Sequence, residues 1–157
     1  MLEFEAIKWK NLLSTGNQWT EIKLNRMPTT LIVGKNGAGK STFLDAICYA
    51  LFGKPFRKIN KPQLHNSITR KGLLVELELK ISGVPFLIRR GDRPGVFEVY
   101  QEGKLLNQNA KNTEYQDVLE KQIIKCNMKS FCQIVILGSA TYQPFMGLPA
   151  GNRREII

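Results

Sequence analysis

The sequence predicts an α/β fold, and three observations carry that prediction. An aliphatic run at residues 30–33 leads into a glycine-rich loop, and the loop leads into a helical pattern of apolar residues. Residues 73–106 alternate in polarity between turn signals and read as an antiparallel β meander. The length of 157 residues, with 43% apolar and 23% charged, suits one domain with its own core and excludes a disordered or fibrous chain.

In chain order, residues 2–9 and 18–25 read as short strands. Phe4, Ile7, Trp9, Trp19, Ile22 and Leu24 hold their apolar positions, and Ser14-Thr15-Gly16-Asn17 turns between them. Residues 30–33 read as a buried strand. From Ser41, the residues Phe43, Leu44, Ile47, Cys48 and Leu51 recur at helical spacing, and Gly53 with Pro55 stops that helix. In the meander, Ser82-Gly83, Gly91-Asp-Arg-Pro-Gly95 and Glu102-Gly103 mark the turns, with Glu76 and Glu78 on a solvent-facing side. Thr113 and Gln116 have capping-box spacing and open a predicted helix over 114–126. The continuous apolar run at 131–137 predicts another strand. Residues 149–157 begin a last helix, so the chain is expected to be a piece of a longer protein.

Several classes of protein are excluded. The longest aliphatic run, Ile134-Val135-Ile136-Leu137, is far short of the ~20 residues of a membrane span. The opening Met1-Leu-Glu-Phe-Glu carries acids where a signal peptide carries positive charge. Cys48, Cys126 and Cys132 are odd in number and lack Cys-x-x-Cys spacing, which argues against a disulfide framework or a zinc site. The expected setting is the cytoplasm, without a membrane partner.

Twenty-three Lys and Arg against thirteen Asp and Glu give a net charge of +10. Residues 53–72 hold Lys54, Arg57, Lys58, Lys61, Arg70 and Lys71 with no acid. Two readings stay open for this segment, a polyanionic partner such as DNA or a merely solvated basic surface. On the first, Lys54, Arg57, Lys58 and Lys61 are the candidate DNA contacts. His65 and the pairs Arg89-Arg90 and Arg153-Arg154 read as surface residues, Trp9 and Trp19 as strand packing, and Cys48 as core.

The chemistry lies in Gly34-Lys35-Asn36-Gly37-Ala38-Gly39-Lys40-Ser41, which matches the P-loop pattern G-x-x-x-x-G-K-[ST] at every defined position. Glycines let backbone amides converge on phosphate oxygens, and the following helix adds partial positive charge at its start. The candidate nucleotide contacts are Gly34, Asn36, Gly37, Ala38, Gly39, Lys40, Ser41 and Thr42. Lys40 would reach the terminal phosphates and Ser41 would offer its hydroxyl to Mg²⁺. Hydrolysis also needs an acid at the end of a second apolar strand. The run at 131–137 ends instead in Gly138-Ser139-Ala140, so binding of ATP without its hydrolysis is expected.

The order of the P-loop with Thr42-Phe-Leu-Asp-Ala-Ile47, the basic segment and the meander resembles the N-terminal head segment of SMC-like double-strand-break repair ATPases, the SbcC group. Ala50-Leu-Phe-Gly-Lys-Pro-Phe-Arg57, Leu73-Leu-Val-Glu-Leu77, Gln133-Ile-Val-Ile-Leu-Gly138 and Pro144-Phe-Met-Gly-Leu148 place the resemblance in its T-even phage branch. The resemblance implies the N-terminal lobe of an ABC/SMC-like ATPase head, incomplete without a C-terminal half, with a coiled coil starting at the last helix. It implies ATP sandwiched between two copies, Mg²⁺, DNA, and a metal-dependent nuclease subunit as partner, inside the host cell. It also places residues 10–14 near the nucleotide, with Leu13 where relatives carry a basic residue. Ser139 falls where relatives have a Mg²⁺-contacting Gln, and becomes a second candidate metal contact. A transporter ATPase and a non-nuclease DNA clamp share the P-loop and remain alternatives.

Overall fold

Alternation makes β3 (Leu73–Ile81) the spine of the molecule. Leu73, Val75, Leu77 and Leu79 are buried, while Glu76, Glu78 and Lys80 point the other way. The structure, a computed structural model, describes residues 1–106, 111–137 and 143–157. Around the spine lie β1 (Leu2–Lys10), β2 (Thr20–Lys23), β4 (Val84–Asp92), β5 (Val96–Gln101) and β6 (Lys104–Leu105). The order across the sheet is β2-β1-β3-β4-β5-β6 and every neighbouring pair is antiparallel. The predicted meander is therefore present.

Helix α1 (Thr42–Phe52) lies on the inner face, with Ala46, Cys48, Ala50 and Leu51 fully buried over Ile7, Val75, Leu77, Ile88 and Val99. Each buried Leu, Ile or Val among them contributes about 1.5–3 kcal/mol relative to exposure. The helix stops where the sequence says it should. Gly53 takes a left-handed φ of 70° and its amide donates to the Tyr49 carbonyl at 2.9 Å. A Cβ at this position would also lie 2.4 Å from Arg90 Nη1.

On the outer face a row of charges crosses the strands in register. Lys8, Glu76, Arg89 and Glu98 are successive Cα partners, linked by ion pairs of 2.9 Å at each step. Glu76 is thus a half-buried link between two cations rather than a simply solvated residue. The remaining helices, α2 (Asn112–Val118), α3 (Met128–Ile134) and α4 (Ala150–Ile156), follow the sheet in the chain. The backbone of α2 continues in a wider π-helical turn, Leu119–Ile124, so the predicted helix over 114–126 is present in two parts.

Three expectations fail. Residues 131–137 are not a strand, because Phe131 to Ile134 belong to α3. Asn127 caps that helix by accepting from the Ser130 amide at 2.8 Å, and Phe131 turns inward against Phe52 and Phe4. Residues 30–33 form no strand either; among the described residues they pair with none, and Leu31 and Val33 are more than 80% exposed. A buried strand needs neighbours on both sides, and β2 to β6 all lie elsewhere in this sheet. Finally, Thr113 forms no capping box. Lys111 holds the cap position, and Gln116 reaches inward to the Leu51 carbonyl at 3.0 Å.

Candidate functional site

The glycine-rich loop sits at the entrance to α1, as its sequence requires. Gly37 and Gly39 have φ of 81° and 83°, a region that other residues enter only under strain. These turns fold the loop so that Ala38 donates to the Lys35 carbonyl at 3.1 Å and Thr42 to the Gly39 carbonyl at 3.0 Å. The amides of Gly37, Gly39, Lys40 and Ser41 make no backbone hydrogen bond among the described residues. Lys40 arches back over the loop, its Nζ donating to the carbonyls of Gly34 at 2.6 Å and Lys35 at 2.8 Å. Open amides and a lysine at a helix start form a concave donor surface suited to phosphate oxygens.

The loop forms one wall of a cleft of about 500 Å³. Leu13 and Ser14 form a second wall, and Arg57 with Ile59 a third. The first of these walls is held from behind. Leu13 donates to the Leu64 carbonyl at 2.7 Å, Asn66 Nδ2 to the Thr15 carbonyl at 3.0 Å, and Thr69 Oγ1 to Asn11 Oδ1 at 3.0 Å. Arg57 is held by Asp45, a fully buried carboxylate in the first turn of α1. The Arg57 amide donates to Oδ1 at 3.0 Å, and Nε and Nη2 donate to Oδ2 at 2.8 and 2.5 Å. Among the described residues no carboxylate lines this cleft.

The structure thus gathers Asn36, Gly37, Gly39, Lys40, Ser41 and Thr42, joined by Leu13 and Ser14 as the resemblance implied. Lys10 lies apart, its ammonium 5.1 Å over the Trp19 ring. Ser139 lies outside the described residues. Of the four basic candidates, three line three different cavities. Arg57, itself exposed, is committed to Asp45, because a buried carboxylate must be paired. Lys54 lines a groove with α3 and α4, Lys61 a cavity with α2, and Lys58 is exposed.

Two features escaped the sequence reading. His65 is a buried residue, 6% exposed, with Nε2 2.8 Å from Asp92 Oδ2. Arg90 is equally buried, its guanidinium 3.7 Å over the Phe97 ring, and burial pulls its pKa down to about 10. Alternation along β4 was the available signal: Arg90 stands two residues after the buried Ile88 and shares its inward face. Arg89 faces outward and is committed to Glu76 and Glu98.

A model of the AAA domain family matches residues 6–139. Exonuclease subunit 2 of Enterobacteria phage T4 is 46% identical over 155 residues, which is 99% of this chain and 28% of that protein. The DNA double-strand break repair Rad50 ATPase of Thermoplasma acidophilum is 35% identical over 133 residues, 81% of this chain and 14% of that protein. The chain therefore spans less than a third of the length of either relative. A solved chain from work on ATP-driven dimerization and DNA-stimulated activation of SMC ATPases superposes with a TM-score of 0.58 at 21% identity. It covers 98% of this chain and 96% of that one, and the likeness is one of fold. With the P-loop at the start of α1 and an antiparallel sheet above it, the chain belongs to the AAA domain family and has the fold of the N-terminal lobe of an SMC-like ATPase head.

Proposed function

We propose that this chain is the ATP-binding N-terminal part of an ATPase that works with a nuclease subunit on DNA double-strand breaks. The observation that carries the reading is the cleft at α1, where unbonded loop amides, Lys40 and the Ser41 hydroxyl converge without a carboxylate to repel phosphate. The relatives add the context, one being named an exonuclease subunit and the other a double-strand break repair ATPase. The amides of Gly37, Gly39, Lys40 and Ser41 hold phosphate oxygens, Lys40 leaves its loop carbonyls to pair with the terminal phosphates, and Ser41 offers an oxygen to Mg²⁺. Mg²⁺, when bound with the nucleotide, supplies charge neutralisation on those phosphates.

Turnover needs groups that this cleft does not contain. Asp45, the acid nearest the loop in sequence, is closed off by Arg57. The chain therefore binds ATP, and the acids for metal and water come from the rest of the protein. The exposed apolar residues Leu31, Val33, Ile134 and Leu137 are where the other half of the head would pack. A second copy would close over the bound ATP, and α4 would lead into a coiled coil. Among the described residues no helix is long and apolar enough to cross a membrane.

Replacing Lys40 with Ala tests the site. Calorimetric titration with ATP and Mg²⁺ is expected to show binding lost or weakened by at least ~100-fold, about 2.7 kcal/mol. An unchanged dissociation constant overturns the assignment. For DNA, the joint replacement of Lys54, Lys58 and Lys61 by Gln is expected to flatten the plot of log affinity against log salt. The slope should fall by up to ~0.9 for each lysine that meets a phosphate. A parallel line of equal slope removes these lysines from the DNA interface.

A further inference from the structure

A second cavity, sharing no residue with the P-loop cleft, opens between the loop after α1, the end of β4 and the start of α2. It measures about 360 Å³, and Gly53, Lys61, Arg90, Asn112, Thr113 and Gln116 contribute to its walls. Arg90 is the unusual member. Its side chain lies in a residue only 7% exposed, yet no carboxylate approaches within ion-pair distance among the described residues. Nη2 donates to Gln116 Oε1, and Nε, fully buried, has no partner among the described residues.

Burial of a guanidinium without a counter-ion is unfavourable, and the pKa pulled down to about 10 reflects it. The group nevertheless stays charged at neutral pH. The nearby acids do not answer it. Asp92, also on the cavity wall, is bound to His65 Nε2, and Glu120 accepts from Gln116 Nε2. The same cavity is lined by a second, exposed cation, Lys61, and by the exposed Asn112 and Thr113. A buried guanidinium stacked on Phe97, an exposed lysine and the neutral Asn112, Thr113 and Gln116 line one cavity, and its one carboxylate, Asp92, is held by His65, a lining that suits an oxyanion.

We propose that this cavity binds one phosphate group, with Arg90 and Lys61 as its charged donors. The site is independent of the nucleotide reading, since it lies apart from the P-loop. The phosphate could belong to a nucleic-acid backbone or to a small phosphorylated ligand, and the chemistry of recognition is the same.

The test uses the full-length protein carrying Lys40→Ala, so that the P-loop does not compete. Inorganic phosphate is titrated and followed by broadening of its ³¹P resonance. Arg90→Gln removes the buried cation but also disturbs the core. Thr113→Glu, at an exposed position, places a carboxylate in the lining and leaves the core alone. The expected result is phosphate binding that weakens by at least ~10-fold with Thr113→Glu and also weakens with Lys61→Gln. Lys104→Gln, the same change of net charge at another exposed position, leaves it unchanged. Broadening that is absent, or equal in Thr113→Glu and its parent, overturns the proposal. A short DNA duplex lacking terminal phosphates assigns the source. Competition with inorganic phosphate, lost in Thr113→Glu, identifies the DNA backbone, and its absence identifies a small phosphorylated ligand.

Discussion

The sheet and the surface around the P-loop are made of similar residues but stand in opposite conditions. In the sheet, Val75, Leu77 and Leu79 on β3 meet buried partners from β1, β4 and α1, all from this chain. Beside the P-loop, Leu31 and Val33 are aliphatic too, yet more than 80% exposed and unpaired among the described residues. The difference separates aliphatic residues that this chain covers from aliphatic residues that it leaves exposed. Hydrophobic residues predict burial only when the chain also contains what buries them.

The largest effect should come from breaking the covered side. Leu77→Ala, at a fully buried position, is expected to cost about 2–5 kcal/mol in urea unfolding. Leu31→Ser in this chain should cost less than ~0.5 kcal/mol, as for other exposed positions. Repeating Leu31→Ser in the full-length protein sharpens the contrast: a cost above ~1 kcal/mol there would show that another segment covers it. Equal, small costs in both settings would remove the packing role proposed for this face.

Next in size is Arg57→Ala. It leaves the buried Asp45 carboxylate with one backbone donor, and about 1–3 kcal/mol of stability should be lost. The smallest effect is expected on the outer face of the sheet. Glu76→Gln breaks the middle of the charge row, and about 0.2–1 kcal/mol should disappear, less at high salt. A larger loss, insensitive to salt, would mean that packing rather than charge holds Glu76.

The same contrast explains what the sequence revealed. The meander was legible because alternation in β3 and the turn residues agree at every step. The P-loop and the Gly53 stop were legible because glycine has few other reasons to stand at those positions. Residues 131–137 were misread since a short run of apolar residues carries no period of its own, and the cap at Asn127 decided the matter. His65 with Asp92, and Arg57 with Asp45, escaped because their partners are 27 and 12 residues away. Such pairings depend on which loops the sheet brings together. No local pattern encodes them.

The row of charges on the outer face governs how the molecule meets a charged neighbour. With Glu76 and Glu98 answering Lys8 and Arg89, the row itself carries no net charge, and its field is small beyond a Debye length, about 8 Å at physiological ionic strength. The net charge of +10 must then project from the loops and helices around the rest of the surface. The row therefore offers a polyanion little long-range attraction. Neutral as a unit, the row leaves one stretch of a strongly basic molecule without charge to offer.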